Sequence, residues 1–195
     1  IHDLDGNVVI QGRGISRATG DHTEQTEKVP HIVEAVKKYV PKGSVLLGEM
    51  AFDAIETNQR EVGSVFRSLP ARALTLQKDR KLIFYIFDVL AFDGVDLSEE
   101  TFDKRISSVL FNPEQNDYIK RVNYYPVDSS TLEVLDDVLE RGGEGIMLMN
   151  PAGKYLPGSR SVSVSLKIKK ELGEITVPVV GIVEPILLTK SELII

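Results

Sequence analysis

Lys167 and Lys169 end a strand-like run over residues 162–169, and the alternation of a strand puts both ammonium groups on one face. Two like charges so placed need an anion, carboxylates or water opposite them. A polyphosphate is one such partner, and two solvated lysines on an edge strand are the plainer alternative. Glu49 and Glu144 each sit beside a glycine among apolar residues, so both are expected to be partly buried and to need a cation. A divalent metal or a ribose hydroxyl would satisfy them, and so would an ion pair with a structural lysine or arginine. Phe87 lies in the apolar run 82–90, where it can fill core or offer its face to a base. Met147 has the same two roles open to it, because a thioether suits a core gap and a purine face alike. Arg17, in Ser16-Arg17-Ala18-Thr19-Gly20, can contact phosphate or sugar, or stand exposed on its turn.

Positioning these groups requires a mixed α/β framework. Asp5-Gly6-Asn7 is a hairpin turn signal, with Val8, Val9 and Ile10 leading into a returning strand that reaches Ile15. The chain is therefore expected to open in mid-hairpin. Pro30 opens a helix over 30–39, with Ile32, Val33, Val36 and Val40 on one face, and Pro41-Lys42-Gly43 ends it. Strands are expected over 44–52, 82–90, 118–127, 145–149 and 162–169, and short helices over 61–69 and 71–79. Ser98 reads as a helix start with Glu99 and Glu100 in the first turn, and Ser130 as the cap of a helix that stops at Gly142-Gly143. The main domain is expected over 1–172, and a second, β-rich domain over 173–195.

Composition narrows the function classes. The chain has 195 residues, 42% hydrophobic and 27% charged, enough for one packed domain. It has no cysteine, so neither a disulfide nor a thiolate zinc site is available, and an intracellular location is the default. The apolar runs are too short to span a bilayer, so no membrane partner is expected. A net charge of −6 argues against a generally basic nucleic-acid binder. Local charge differs: residues 150–170 hold no acidic residue, whereas Lys154, Arg160, Lys167, Lys169 and Lys170 are basic. That stretch is a candidate anion-binding surface or a solvated face.

Five short patterns follow one another along the chain: Ser16-Arg17-Ala18-Thr19-Gly20, Gly48-Glu49, Phe87-Asp88, Glu144-Gly145-Ile146-Met147 and Lys167-Ile168-Lys169. In this order they resemble the covalent nucleotidyltransferase superfamily. Asp93-Gly94, Leu97, Arg105 and Tyr155-Leu156-Pro157-Gly158-Ser159-Arg160 are further similar to ATP-dependent DNA ligases. The resemblance covers residues 1–185. It implies an α+β adenylation domain of mixed antiparallel sheets with flanking helices, ATP-grasp-like, followed by the start of an OB-fold barrel. It also implies ATP and Mg2+ (or Mn2+) as cofactors, nicked double-stranded DNA as partner, and a monomer.

By the same resemblance, Phe87 would stack on adenine, Met147 would close its other face and Glu49 would bind the ribose. Arg17 would contact the sugar or phosphate of the adenylate and help engage the DNA 5′-phosphate, Arg160 would add a phosphate contact, Glu144 would assist the metal, and Lys167 and Lys169 would hold the triphosphate. Two departures stand out. Met149 replaces a cation common in the family, and the KxDG element with the nucleophilic lysine is absent. Its look-alike, Asp3-Leu4-Asp5-Gly6, puts a carboxylate where an amine must attack, so the nucleophile is expected upstream of Ile1. An RNA ligase, a capping-type guanylyltransferase and a non-catalytic nick- or nucleotide-binding module are the competing functions.

Overall fold

The computed structural model describes residues 1–17, 19–52, 59–109, 116–158, 161 and 163–169. The expected second domain over 173–195 and the side chain of Arg160 lie outside the described residues. The centre is a mixed sheet built on β4 (Leu82–Phe92), which pairs antiparallel along most of its length with β3 (Val45–Phe52). The opposite edge of β4 is shared by β6 (Ile119–Arg121), parallel, and β5 (Val95–Asp96), antiparallel. A central strand between partners reads as a nearly continuous apolar run. Leu82, Ile83, Ile86 and Val89 are accordingly buried.

Helix α1 (Pro30–Tyr39) lays Ile32, Val33 and Val36 into one core with Leu82, Ile86, Val89 and Ile119. Each such aliphatic side chain contributes roughly 1.5–3 kcal/mol by leaving water. Helices α2 (Gln59–Arg67) and α3 (Pro70–Leu76) add Val65 and Ala73 to the same core. Two small antiparallel ribbons complete the sheets of the described chain: β1 (Gln11–Ile15) with β2 (His22–Glu24), and β7 (Gly145–Met149) with β8 (Ser165–Lys169). Ahead of β7 comes α5 (Thr131–Glu140), ended at Gly142 with φ 80°. The mixed α/β class with antiparallel sheets is thus as expected.

Several expected elements differ. The helix placed at Ser98 begins later, as α4 (Phe102–Ser107). The Asp96 carboxylate accepts the Ser98 amide at 2.8 Å and turns the chain first; such local side-chain bonds compete with helix formation. The strand over 118–127 contracts to β6, whose pairing with β4 closes at the Val122 N–H to Ile86 carbonyl bond. Ser130 precedes α5 but does not cap it through its side chain; its hydroxyl donates to Asp128 at 2.6 Å instead. The last strand is shorter than 162–169. Two strands, β2 and β5, were not anticipated, although Asp93-Gly94, with φ of 51° and 78°, is the sequence signal of the tight turn that makes β5.

Candidate active site

A cavity of about 690 Å³ opens between the β1–β2 ribbon, α1 and the β3–β4 pair. Glu49 and Phe87 both line it. Glu49 stands at the exposed position of β3, not partly buried as expected, because its apolar neighbours take the packed positions of that strand. Phe87, for which core filling and an open face were both available, is 41% exposed although it belongs to the central strand. The register explains this. Gly48 pairs with Ile86 and Leu47 with Asp88, which leaves Phe87 as an extra residue on β4, a β-bulge. Bulges re-aim a side chain and sharpen local twist. Gly48 belongs to the same device, since a Cβ there would collide with the Phe84 ring and the Tyr85 carbonyl.

The bulge is fixed from beneath. Asp88 is buried, and Arg105 on α4, only 1% exposed, grips its two oxygens through Nε and a terminal nitrogen, each at 2.7 Å. Another guanidinium nitrogen donates to the Glu100 carbonyl at 2.8 Å. This bidentate geometry is the strong form of a charge-assisted pair. The Tyr124 hydroxyl donates to the Phe87 carbonyl at 2.8 Å. Burial pushes the Tyr124 phenol up to about 12, so it remains a proton donor throughout the physiological range.

A second group gathers on the β7–β8 ribbon. Met147 pairs with Lys167 and Gly145 with Lys169, so Met147 and both lysines share one face, as alternation requires. Met147 is 51% exposed. The anion opposite the lysines is Glu144: both ammonium groups reach its Oε2 at 3.2 Å. Glu144 is exposed rather than partly buried, because it precedes the first residue of β7. Its carboxyl is held below its ordinary value, first by the hydrogen bond from Lys169, then by that from Lys167. Gly145 lies at φ 140°, and a Cβ there would run into the Ile168 carbonyl; only glycine lets Glu144 turn into the ribbon at this point.

The remaining candidates are scattered. Arg17 occupies the tip of the β1–β2 ribbon, where Gly20, at φ 75°, returns its amide to the Ser16 carbonyl. It is exposed, and it does not line the cavity. Neither do Glu144, Met147, Lys167 or Lys169. The connection between β7 and β8 nevertheless reaches the cavity through Tyr155, and it is tied to α4 by the Phe102 and Asp103 amides donating to the Gly153 and Pro151 carbonyls. Arg13, His22 and Gln25 also line the cavity and were not anticipated; alternation from Arg13 along β1 was the only signal. Asp3 confirms the turn reading of its segment, since it accepts the Asn7 amide at 2.7 Å and the Asn7 side chain at 2.9 Å. Those bonds hold its carboxyl below the ordinary range.

Among the described residues no three His, Asp or Glu side chains gather in a metal-binding group. A lone hard carboxylate such as Glu144, completed by phosphate oxygens and water, is still a donor set that suits Mg2+. No described helix is long and apolar enough to cross a membrane.

Comparison with known proteins gives one consistent answer. The chain is 28% identical over 163 residues to a DNA ligase of Natronomonas pharaonis, covering 81% of this chain and 29% of that protein. It is 29% identical over 185 residues to a DNA ligase of Methanothrix thermoacetophila, covering 93% and 32% respectively. With a DNA ligase of Vaccinia virus it shares 27% identity over 146 residues, 72% of this chain and 26% of the viral protein. The chain therefore spans about a quarter to a third of these relatives. Its fold is similar to that of a mycobacterial DNA ligase D complexed with ATP and MES, with a TM-score of 0.55 at 19% identity, over 80% of this chain and 46% of the other. The family model of the ATP dependent DNA ligase domain matches residues 1–169, and the chain belongs to that family.

Proposed function

We propose that this chain is the adenylate-binding part of an ATP-dependent DNA ligase that seals nicks in double-stranded DNA. The observation that carries the reading is the bulge of β4 at Phe87, which lines a cavity together with Glu49 on the neighbouring strand. In the reaction, a lysine amine attacks the α-phosphate of ATP and expels pyrophosphate. The AMP then passes to the DNA 5′-phosphate, and the 3′-hydroxyl displaces it to close the backbone. No lysine lines the cavity among the described residues, so this reading takes the attacking lysine to come from outside the described lining.

The roles follow the chemistry of the groups. Phe87 stacks on adenine, a contact worth roughly 1–3 kcal/mol. Glu49, exposed and without an ion pair among the described residues, accepts from the ribose hydroxyls. Met147 covers the other face of the base. Lys167 and Lys169 exchange their contact with Glu144 for phosphate oxygens, and Arg17 and Arg160 add further phosphate or sugar contacts. Glu144, freed of the lysines, is the residue that would hold Mg2+ with the phosphates; the ion would offset charge on the transferring phosphoryl group.

The test is a titration of ATP against the wild-type chain and Phe87→Ala, with thermal melting of both. A stacking role predicts a loss of about five- to a hundredfold in affinity, and a melting temperature lowered by less than a fully buried phenylalanine would cost, about 3–5 kcal/mol. Unchanged affinity with a large drop in melting temperature would make Phe87 a packing residue and remove the reading.

A further inference from the structure

We infer that Tyr124 is a positioning residue for base stacking, acting through the backbone of Phe87; this rests on the adenylate-binding reading above. A bulged residue sits outside the regular ladder, so the direction of its side chain follows the orientation of its own peptide unit. Two groups fix that unit. On one side Arg105 clamps the side chain of the next residue, Asp88. On the other, the Tyr124 hydroxyl holds the carbonyl of Phe87 itself at 2.8 Å.

Tyr124 is placed for this role by elements that have no part in the cavity. It follows the end of β6, where the Val122 amide makes the last bond to β4, and it does not line the cavity. Its ring stands edge-on to Phe102 of α4, centroids 5.8 Å apart at 67°, an attractive aromatic geometry. Phe102 is buried and its amide is bonded to the Gly153 carbonyl. The ring thus anchors on α4, while the hydroxyl reaches the bulge. Only the hydroxyl is lost in Tyr124→Phe, so the anchor and the fold are retained.

The experiment titrates ATP against the 195-residue wild type, Tyr124→Phe, Phe87→Ala and the double variant, with inorganic tripolyphosphate as a competitor that has no base. Tyr124→Phe is expected to weaken ATP binding about three- to tenfold, the worth of one hydrogen bond, and to leave tripolyphosphate binding unchanged. In the Phe87→Ala background the same substitution should have no further effect, because residues acting as one unit are not additive. Equal weakening of ATP and tripolyphosphate, or additive losses in the double variant, would overturn the inference. ATP binding that depends on Phe87 but is indifferent to Tyr124→Phe would overturn it while leaving the adenylate reading intact. Failure of the wild type to bind ATP would remove both.

Discussion

The β3–β4 pair and the β7–β8 ribbon both carry candidate site residues, but they are held by different physics. Phe87 and Glu49 stand over a sheet whose underside is the hydrophobic core, and the bulge that presents Phe87 is locked by a buried, bidentate ion pair. Met147, Lys167 and Lys169 stand on a two-stranded ribbon, with one exposed carboxylate between the lysines. Rigidity suits an apolar face that must meet a flat ring, since misalignment costs stacking directly. Groups proposed to meet phosphate would gain from the opposite property. Their resting partner is a surface carboxylate, and such pairs are worth about 0–1 kcal/mol, so under the proposed function a triphosphate would displace it at little cost.

The contrast is sharpest at Arg105. Replacing it by alanine leaves the Asp88 carboxylate buried without a partner, and breaking a buried pair in this way costs about 3–5 kcal/mol. Chemical denaturation should show that loss in full. A cost below about 1 kcal/mol, the surface range, would mean that the bulge is held without the Arg105 pair and that the two regions do not differ in kind.

Gly145→Ala tests the ribbon where it is least forgiving. With φ at 140° and the Ile168 carbonyl in the path of a Cβ, the substitution should cost about 1–3 kcal/mol in backbone strain. Amide exchange should report it locally, in β7 and β8, with β4 unaffected. If β4 amides lose protection equally, the ribbon and the central sheet unfold as one unit, and the two regions are not independent in stability.

Much of this arrangement was legible in the sequence. Pro30 and a 3.6-residue apolar period placed α1 at its observed limits, and alternation put Lys167 and Lys169 on one face. Local chemistry that competes with a regular element was harder to read: Asp96 delays α4, and Asp128 takes the hydroxyl of Ser130. The exposure of Phe87 was beyond periodicity altogether. A single inserted residue reverses which face a strand position occupies, and that insertion exists only relative to the register of β3. Glu144 as the counter-ion of both lysines likewise required the pairing of Gly145 with Lys169. Arg13 and His22, on the polar side of the cavity, belong to a ribbon of which only one strand was expected, and Gln25 follows directly after it.

The smallest effect is the most informative about the ribbon. Glu144 has its carboxyl held below the ordinary 4.5 by Lys169 and Lys167. A carboxyl depressed in the folded state contributes stability above its unfolded value and loses it as pH falls through the folded one. Comparing wild type with Glu144→Gln should therefore show a difference near neutrality that fades in acid. Exposure and solvent screening keep that difference to at most about 0.5 kcal/mol, and salt should shrink it further. Lys167→Ala and Lys169→Ala should each alter stability by no more than about 0.5 kcal/mol. Under the proposed function, adenylyl transfer should nevertheless fall on the order of a hundredfold in either variant, the usual cost of losing one preorganised group that meets transition-state charge. Lysine to arginine should restore it only in part, because a planar fork does not reproduce a compact ammonium. Single-turnover adenylation at saturating ATP reads this directly. Near-normal rates in both alanine variants would leave the lysines as partners of Glu144 and nothing more, and the functional half of the contrast between ribbon and sheet would be gone.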